Sequence, residues 1–313
     1  MSLAFVFPGQ GAQTIGMGRD LAQSYPAAKA VFDEVDQALG QNLSSLIWEG
    51  DIAELTLTQN AQPALMATSL AAMAALKAEG LEISRASFVA GHSLGEYSAL
   101  CAAGAIGLAD TARLLRIRGR AMQEAVPVGV GAMAALLGLD FAAACEVAAE
   151  AAKGGDLGDV CEAANDNDPA QVVVSGHKAA VERALEIAKA KGAKRALLLP
   201  VSAPFHCALM QPAADVMAQA LADVTISAPS VPLVANVQAS AVSDPAQIRA
   251  LLVAQVTGRV RWRESVQWMA AQGVTEYWEI GAGKALSGMI KRIAEGAQTR
   301  AVGTAADVLA AKQ

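Results

Sequence analysis

The sequence predicts an α/β fold, with a main domain over residues 1–128 and 200–313 and a smaller subdomain inserted at 129–199. Three observations carry this. The short apolar run Ser87-Phe88-Val89-Ala90 enters the corner Gly91-His92-Ser93-Leu94-Gly95 and leaves as a helical segment beginning Glu96-Tyr97-Ser98-Ala99. Leu3 to Phe7 reads as a second buried strand, ending in the non-helical loop Pro8-Gly9-Gln10-Gly11. Between about 129 and 199 the pattern runs βαββαβ, the order of a ferredoxin-like split-βαβ unit.

Each element has its own reason. Tyr25 to Leu39 has helical periodicity, and Ala61 to Ala78 is an alanine-rich helix with Pro63 near its start, where proline is tolerated. Gly131 to Leu137 is a small-residue strand and Phe141 to Ala152 a helix. Val160 to Ala164 is a strand, after which Asn165-Asp166-Asn167-Asp168-Pro169 has the composition of a turn. Gln171 to Ser175, Lys178 to Lys191 and Arg195 to Leu199 follow as strand, amphipathic helix and strand. The main domain then resumes, with strands at Val231 to Ala235 and Thr275 to Ile280 and helices at Ile248 to Gln255 and Trp262 to Gln272. A cleft between the subdomain and the main body is a natural place for a ligand.

The chain of 313 residues is 54% apolar and 17% charged, enough for a large core. A net charge of −6 argues against a nucleic-acid partner. The N-terminal apolar run lacks a basic flank and is too short for a signal peptide. The stretch Pro63 to Leu76 is shorter than a membrane span requires. Cys101, Cys145, Cys161 and Cys207 have no C-x-x-C spacing, so reduced thiols in a cytoplasmic protein are expected. Two glycine-rich segments fail as nucleotide motifs. Thr14 stands where a dinucleotide fingerprint needs its third glycine, and Gly281-Ala282-Gly283-Lys284-Ala285 lacks both the first glycine and the Ser/Thr of a P-loop.

Chemistry concentrates at G-x-S-x-G. A serine between two glycines at a strand-to-helix corner is a nucleophile elbow. The corner projects the Ser93 hydroxyl clear of the backbone and points the Leu94 N–H at the same spot, supplying one oxyanion donor. The bland alternative is a turn with a capping serine. Gln10 lies at the carboxyl end of a strand, where α/β sheets place their sites, and is otherwise an ordinary polar loop residue.

A serine nucleophile needs a base, and the chain has three histidines. His92 adjoins Ser93 and points away from it; His177 reads as a helix-start residue. That leaves His206, on the proline-marked loop re-entering the main domain, as general base, with a structural loop histidine as the alternative. No carboxylate announces itself as a third member. Along Asp110 to Met122, at about 100° per residue, Arg113, Arg116 and Arg120 share a solvated stripe while Arg118 falls about 140° away on the apolar face. A buried cation of this kind needs an anion. It is either an internal Asp or Glu, or the carboxylate of a substrate.

Pro8-Gly9-Gln10-Gly11, Gly91-His92-Ser93-Leu94-Gly95-Glu96-Tyr97, Arg118-Gly119 and the His206 segment occur together in this order. The set closely resembles the malonyl-CoA:acyl carrier protein transacylases of the acyltransferase family of fatty-acid and polyketide synthesis, over essentially the whole chain. The resemblance implies an α/β-hydrolase-like large domain carrying a ferredoxin-like insertion. It implies that Ser93 carries a malonyl ester, His206 acts as acid and base, the N–H groups of Gln10 and Leu94 form the oxyanion hole, and Arg118 holds the malonyl carboxylate. Gln255 matches the residue whose backbone carbonyl holds the histidine, and Asn165 a polar position lining the cleft. Phe205 departs from the serine common in stand-alone members and resembles the Phe-His pair of malonyl-selective synthase domains. The implied partners are malonyl-CoA and the phosphopantetheine arm of an acyl carrier protein, with no cofactor and no metal. Since such carriers are acidic, Lys194, Arg195, Lys291 and Arg292 are candidates for a basic docking rim. The rival readings are a serine thioesterase or esterase, and a non-catalytic scaffold that binds the carrier.

Overall fold

In the computed structural model, which describes residues 2–155, 158–201 and 203–312, the described residues form ten strands in two sheets. They are β1 (Ser2–Phe7), β2 (Phe88–Gly91), β3 (Gly131–Leu137), β4 (Cys161–Asp168), β5 (Gln171–His177), β6 (Arg195–Leu198), β7 (Leu233–Val234), β8 (Ala241–Val242), β9 (Val274–Ile280) and β10 (Gln298–Val302). The larger sheet has the order β10-β9-β1-β2-β7-β8, parallel except for the β7–β8 pair. β1 is buried from Leu3 to Phe7, as its unbroken apolar run requires in a sheet covered on both faces. The smaller sheet is antiparallel, in the order β4-β5-β3-β6. It has a core of its own, with Leu136, Val172 and Val174 packed against Val147 and Val181 of its two helices.

Two helices bring the site together. The helix Thr58–Ala78 is buried along most of its length and packs on the helix Leu108–Glu124. Gly119 permits the close approach: a Cβ there would lie 2.6 Å from Gln59 Cα and from Thr58 O. Arg118 is thereby pressed beside Gln62 with 1% of its surface exposed. Arg116, expected on the solvated stripe, is half-buried, and its Nε and Nη2 lack partners among the described residues.

One sequence expectation is overturned. Asn165–Asp168 is not a turn; these residues are the second half of β4, and all four are buried. The side chains of Asp166, Asn167 and Asp168 have partners outside the sheet. Asp166 takes a two-pronged bond from Arg263 Nε and Nη2, at 2.9 and 2.8 Å, and Asp168 accepts from Arg292 Nε at 2.8 Å. Asn167 Oδ1 meets His92 Nε2 at 2.8 Å. The backbone beside Asn165 bridges Val260, through Asp166 N to Val260 O and Val260 N to Ala164 O, both 2.9 Å. Turn-forming residues here are strand residues whose side chains fasten the smaller sheet to the larger body. Four residues past Ala164 and the short strands β8 and β10 have no counterpart in the sequence reading.

Candidate active site

β2 delivers the chain to the corner, and backbone crowding dictates its glycines. A Cβ on Gly91 would lie 1.9 Å from the Gly95 carbonyl carbon, and one on Gly95 would lie 2.2 Å from Phe7 O. The left-handed residue is the serine: Ser93 has φ 53°. The flanking glycines therefore serve close approach rather than positive φ. Asn236 and Gln255 hold the turn. Ser93 N–H donates to Asn236 Oδ1 at 2.8 Å, Asn236 Nδ2 donates to Gly91 O at 2.6 Å, and Gln255 Nε2 donates to Ser93 O at 3.0 Å.

Two groups meet at the serine oxygen. Ser93 Oγ lies 2.8 Å from His206 Nε2, and Arg118 Nη2 donates to it at 3.1 Å. The opposite ring nitrogen, His206 Nδ1, faces two carbonyls, Gln255 O at 2.9 Å and Gly258 O at 3.1 Å. Carbonyls only accept, so Nδ1 carries the proton and donates. Nε2 is then a free acceptor for the serine hydroxyl. His206 is 4% exposed, and burial pushes its pKa down to about 3, assisted by the neighbouring Arg118 charge and opposed by the two carbonyls. The imidazole is thus neutral and able to accept a proton.

Among the described residues, the acceptors that Arg118 meets are neutral. Nη1 donates to Gln62 Oε1 at 2.8 Å and Nη2 to Gln255 Oε1 at 2.7 Å. Among the described residues no carboxylate lies within ion-pair distance of it, and burial lowers its pKa. The internal Asp or Glu considered as its partner from the helical wheel is absent among them.

These groups line a cleft of about 480 Å³ between the main body and the smaller sheet. Gln10, Leu94, Asn165, Phe205, Arg118, Ser93 and His206 all border it; Gln255 stands behind them. Phe205 is buried next to the histidine, and Asn165 reaches the cleft from β4. His92 turns its Nε2 to Asn167, and His177 closes β5 ahead of the helix Lys178–Ala190 with its Nδ1 accepting from Val160 N–H, so neither bonds the serine. Gln62 and Asn236 were not legible in the sequence. Both are single amides far from the corner along the chain, with no local pattern to mark them.

The family model for the acyl transferase domain matches residues 4–305. The chain belongs to the acyl transferase domain family. Among relatives of this acyl transferase, the malonyl CoA-acyl carrier protein transacylase of Escherichia coli (strain K12) is 51% identical over 93% of both chains. That of Bacillus subtilis (strain 168) is 48% identical over 96% of this chain and 93% of the relative. The crystal structure of acyl-carrier-protein-S-malonyltransferase from Bartonella henselae superposes with a TM-score of 0.96, at 56% identity, over 99% of this chain and 98% of that one. A structure of a type II polyketide acyl-carrier protein in complex with its malonyl-transacylase matches with a TM-score of 0.95 and 43% identity over 99% of both chains. No described helix of this acyl transferase is long and apolar enough to cross a membrane.

Proposed function

We propose that this acyl transferase moves a malonyl group from malonyl-CoA to the phosphopantetheine thiol of an acyl carrier protein, in fatty-acid synthesis, through an ester on Ser93. The observation that carries this is the convergence of His206 Nε2 and Arg118 Nη2 on Ser93 Oγ. A neutral base and an unpaired cation on the same hydroxyl suit an acyl group that ends in a carboxylate.

The steps follow from the geometry. His206 takes the Ser93 proton as the oxygen attacks the thioester carbonyl, and the N–H groups of Gln10 and Leu94 receive the developing oxyanion. Each such donor is worth about 3 kcal/mol in the transition state. The resulting imidazolium is stabilised by the carbonyls of Gln255 and Gly258. His206 returns the proton to the departing coenzyme A thiolate. Once Ser93 Oγ is esterified, the Arg118 N–H that faced it is released toward the malonyl carboxylate, where a guanidinium grips well. The carrier thiol then enters and the steps run in reverse, in ping-pong fashion. One thioester replaces another, so the transfer draws on no separate energy source or cofactor.

In the same reading, residues 1–128 and 200–313 are an α/β-hydrolase-like domain and residues 129–199 a ferredoxin-like subdomain. The parallel larger sheet, its elbow after β2, and the β4-β5-β3-β6 antiparallel order support this. Asn165 lines the cleft on the subdomain side, and the Phe205 ring crowds an α-methyl group, disfavouring methylmalonyl. Lys194 precedes β6 and Arg195 opens it, both exposed on the edge of the smaller sheet, and in this reading they receive an acidic carrier. Lys291 stays a candidate; Arg292 is committed in part to Asp168. The free cysteines fit a cytoplasmic setting.

Incubation with malonyl-CoA alone tests the reading. A transferase releases one equivalent of coenzyme A and stalls. Steady release without a carrier marks a thioesterase and contradicts the proposal.

A further inference from the structure

Glu96 follows the elbow in the chain and is fully buried, yet the transfer just described makes no use of it. Its Oε2 accepts from Gln255 Nε2 at 2.8 Å and from the backbone N–H of Asn236 at 3.2 Å. Its Oε1 has no partner among the described residues. Burial pushes the carboxyl up to about 7, against the pull of Gln255, Asn236 and the Arg118 charge.

The two residues that meet Glu96 are the two that hold Ser93 by its backbone, Asn236 at the N–H and Gln255 at the carbonyl. Gln255 also reaches Arg118 with its Oε1 and His206 with its backbone carbonyl. A single amide therefore stands between a buried carboxyl group and a buried cation. Its polarity admits one orientation. Turned over, it would press NH₂ against the guanidinium and oxygen against the carboxylate, leaving donors facing donors and acceptors facing acceptors. The amide also keeps the carboxyl and the guanidinium from closing into a direct pair.

We propose that Glu96 is a positioning residue for acyl selectivity: it holds the Gln255 amide with its oxygen toward Arg118, so that the guanidinium meets only neutral acceptors and keeps its charge for the carboxylate of the acyl group. This rests on the transfer reading above. Glu96 touches neither acyl group nor coenzyme; it acts through Gln255.

The test is the ratio of kcat/KM for malonyl-CoA to that for acetyl-CoA, with melting temperature as the folding control. Glu96→Met removes the acceptor at similar size, and the ratio falls about tenfold or more, the worth of a hydrogen bond that orients a charged group. Glu96→Gln still accepts from Gln255 and restores the ratio to within about threefold of the parent. The exchanged pair Glu96→Gln with Gln255→Glu keeps shape and total charge but sets a carboxylate directly on Arg118, and it loses selectivity as Glu96→Met does. The exchange decides the matter where Glu96→Met does not fold. Parallel loss of both activities with an unchanged ratio in Glu96→Met, or an unchanged ratio in the exchange, overturns the proposal. A parent enzyme that forms no malonyl ester overturns the transfer reading itself; a selective parent with equally selective variants overturns only the role of Glu96.

Discussion

Ser93 and His206 both hold left-handed backbone, at φ 53° and 59°, and face each other across 2.8 Å. Neither is glycine, so each costs on the order of 1–2 kcal/mol of backbone strain. The strain sits on the two residues whose side chains must meet, and the surrounding amides over-determine it. Ser93→Gly relieves the backbone while Ser93→Ala does not. The glycine variant is therefore expected to be more stable than the alanine variant by about 1 kcal/mol, the reverse of the usual order. Denaturant midpoints of the two variants check this; an alanine variant equal or superior in stability contradicts it.

Arg118 is the only described cation at the serine, and its bonds run to Gln62, Gln255 and Ser93. Arg118→Ala should lower kcat/KM for malonyl-CoA by about 10²- to 10³-fold, the cost of leaving a carboxylate without its desolvated partner. Acetyl-CoA has no carboxylate to lose and should fall far less. Steady-state rates with both thioesters measure this. An unchanged preference for malonyl would mean that the guanidinium serves the fold alone.

The buried imidazole carries a pH signature. The His206 pKa is about 3 in the folded protein, below the ordinary histidine value, so the unfolded chain takes up the proton first as pH falls. Its contribution to stability is complete above pH 6.5 and is lost as pH drops toward 3. Relative to His206→Gln, the parent should lose about 2 kcal/mol between pH 6.5 and 5. Glu96, raised to about 7, works in the opposite direction, gaining as pH falls from 7 to its unfolded value, but it is present in both proteins and cancels. A stability difference that stays level across that window contradicts a neutral, buried His206.

Much of this architecture is legible in the sequence. β3 runs over the predicted residues Gly131–Leu137, and the alanine-rich helix near Ala61 and the helix carrying Arg118 fall where their periodicity places them. Local patterns of period two or 3.6 and the glycine-bracketed serine are short-range signals, and a single sequence contains them. Asn165–Asp168 misled because turn propensity is a local quantity, whereas Arg263, Arg292 and His92, which accommodate those side chains in a strand, lie far off in the chain. The same distance hid Gln62 and Asn236. Arg118 was visible as a misplaced charge, but its neutral setting was not, since it depends on which amides the packing of two helices brings to it.

The docking rim adds an ionic test. Lys194 and Arg195 are exposed at the start of β6, on the edge of the smaller sheet. Reversing both charges should raise KM for the acyl carrier protein while leaving the first half-reaction with malonyl-CoA intact, and the effect should shrink as salt is added. Unaltered carrier binding at low salt in the double variant places the docking surface elsewhere.

The central claim, that a malonyl group rests on Ser93 between two thiols, is tested most directly by the intact mass of the protein after brief mixing with malonyl-CoA. One malonyl adduct per chain is expected, discharged by an acyl carrier protein and absent from Ser93→Ala. An adduct that persists in Ser93→Ala, or a parent protein that acquires none, would contradict it.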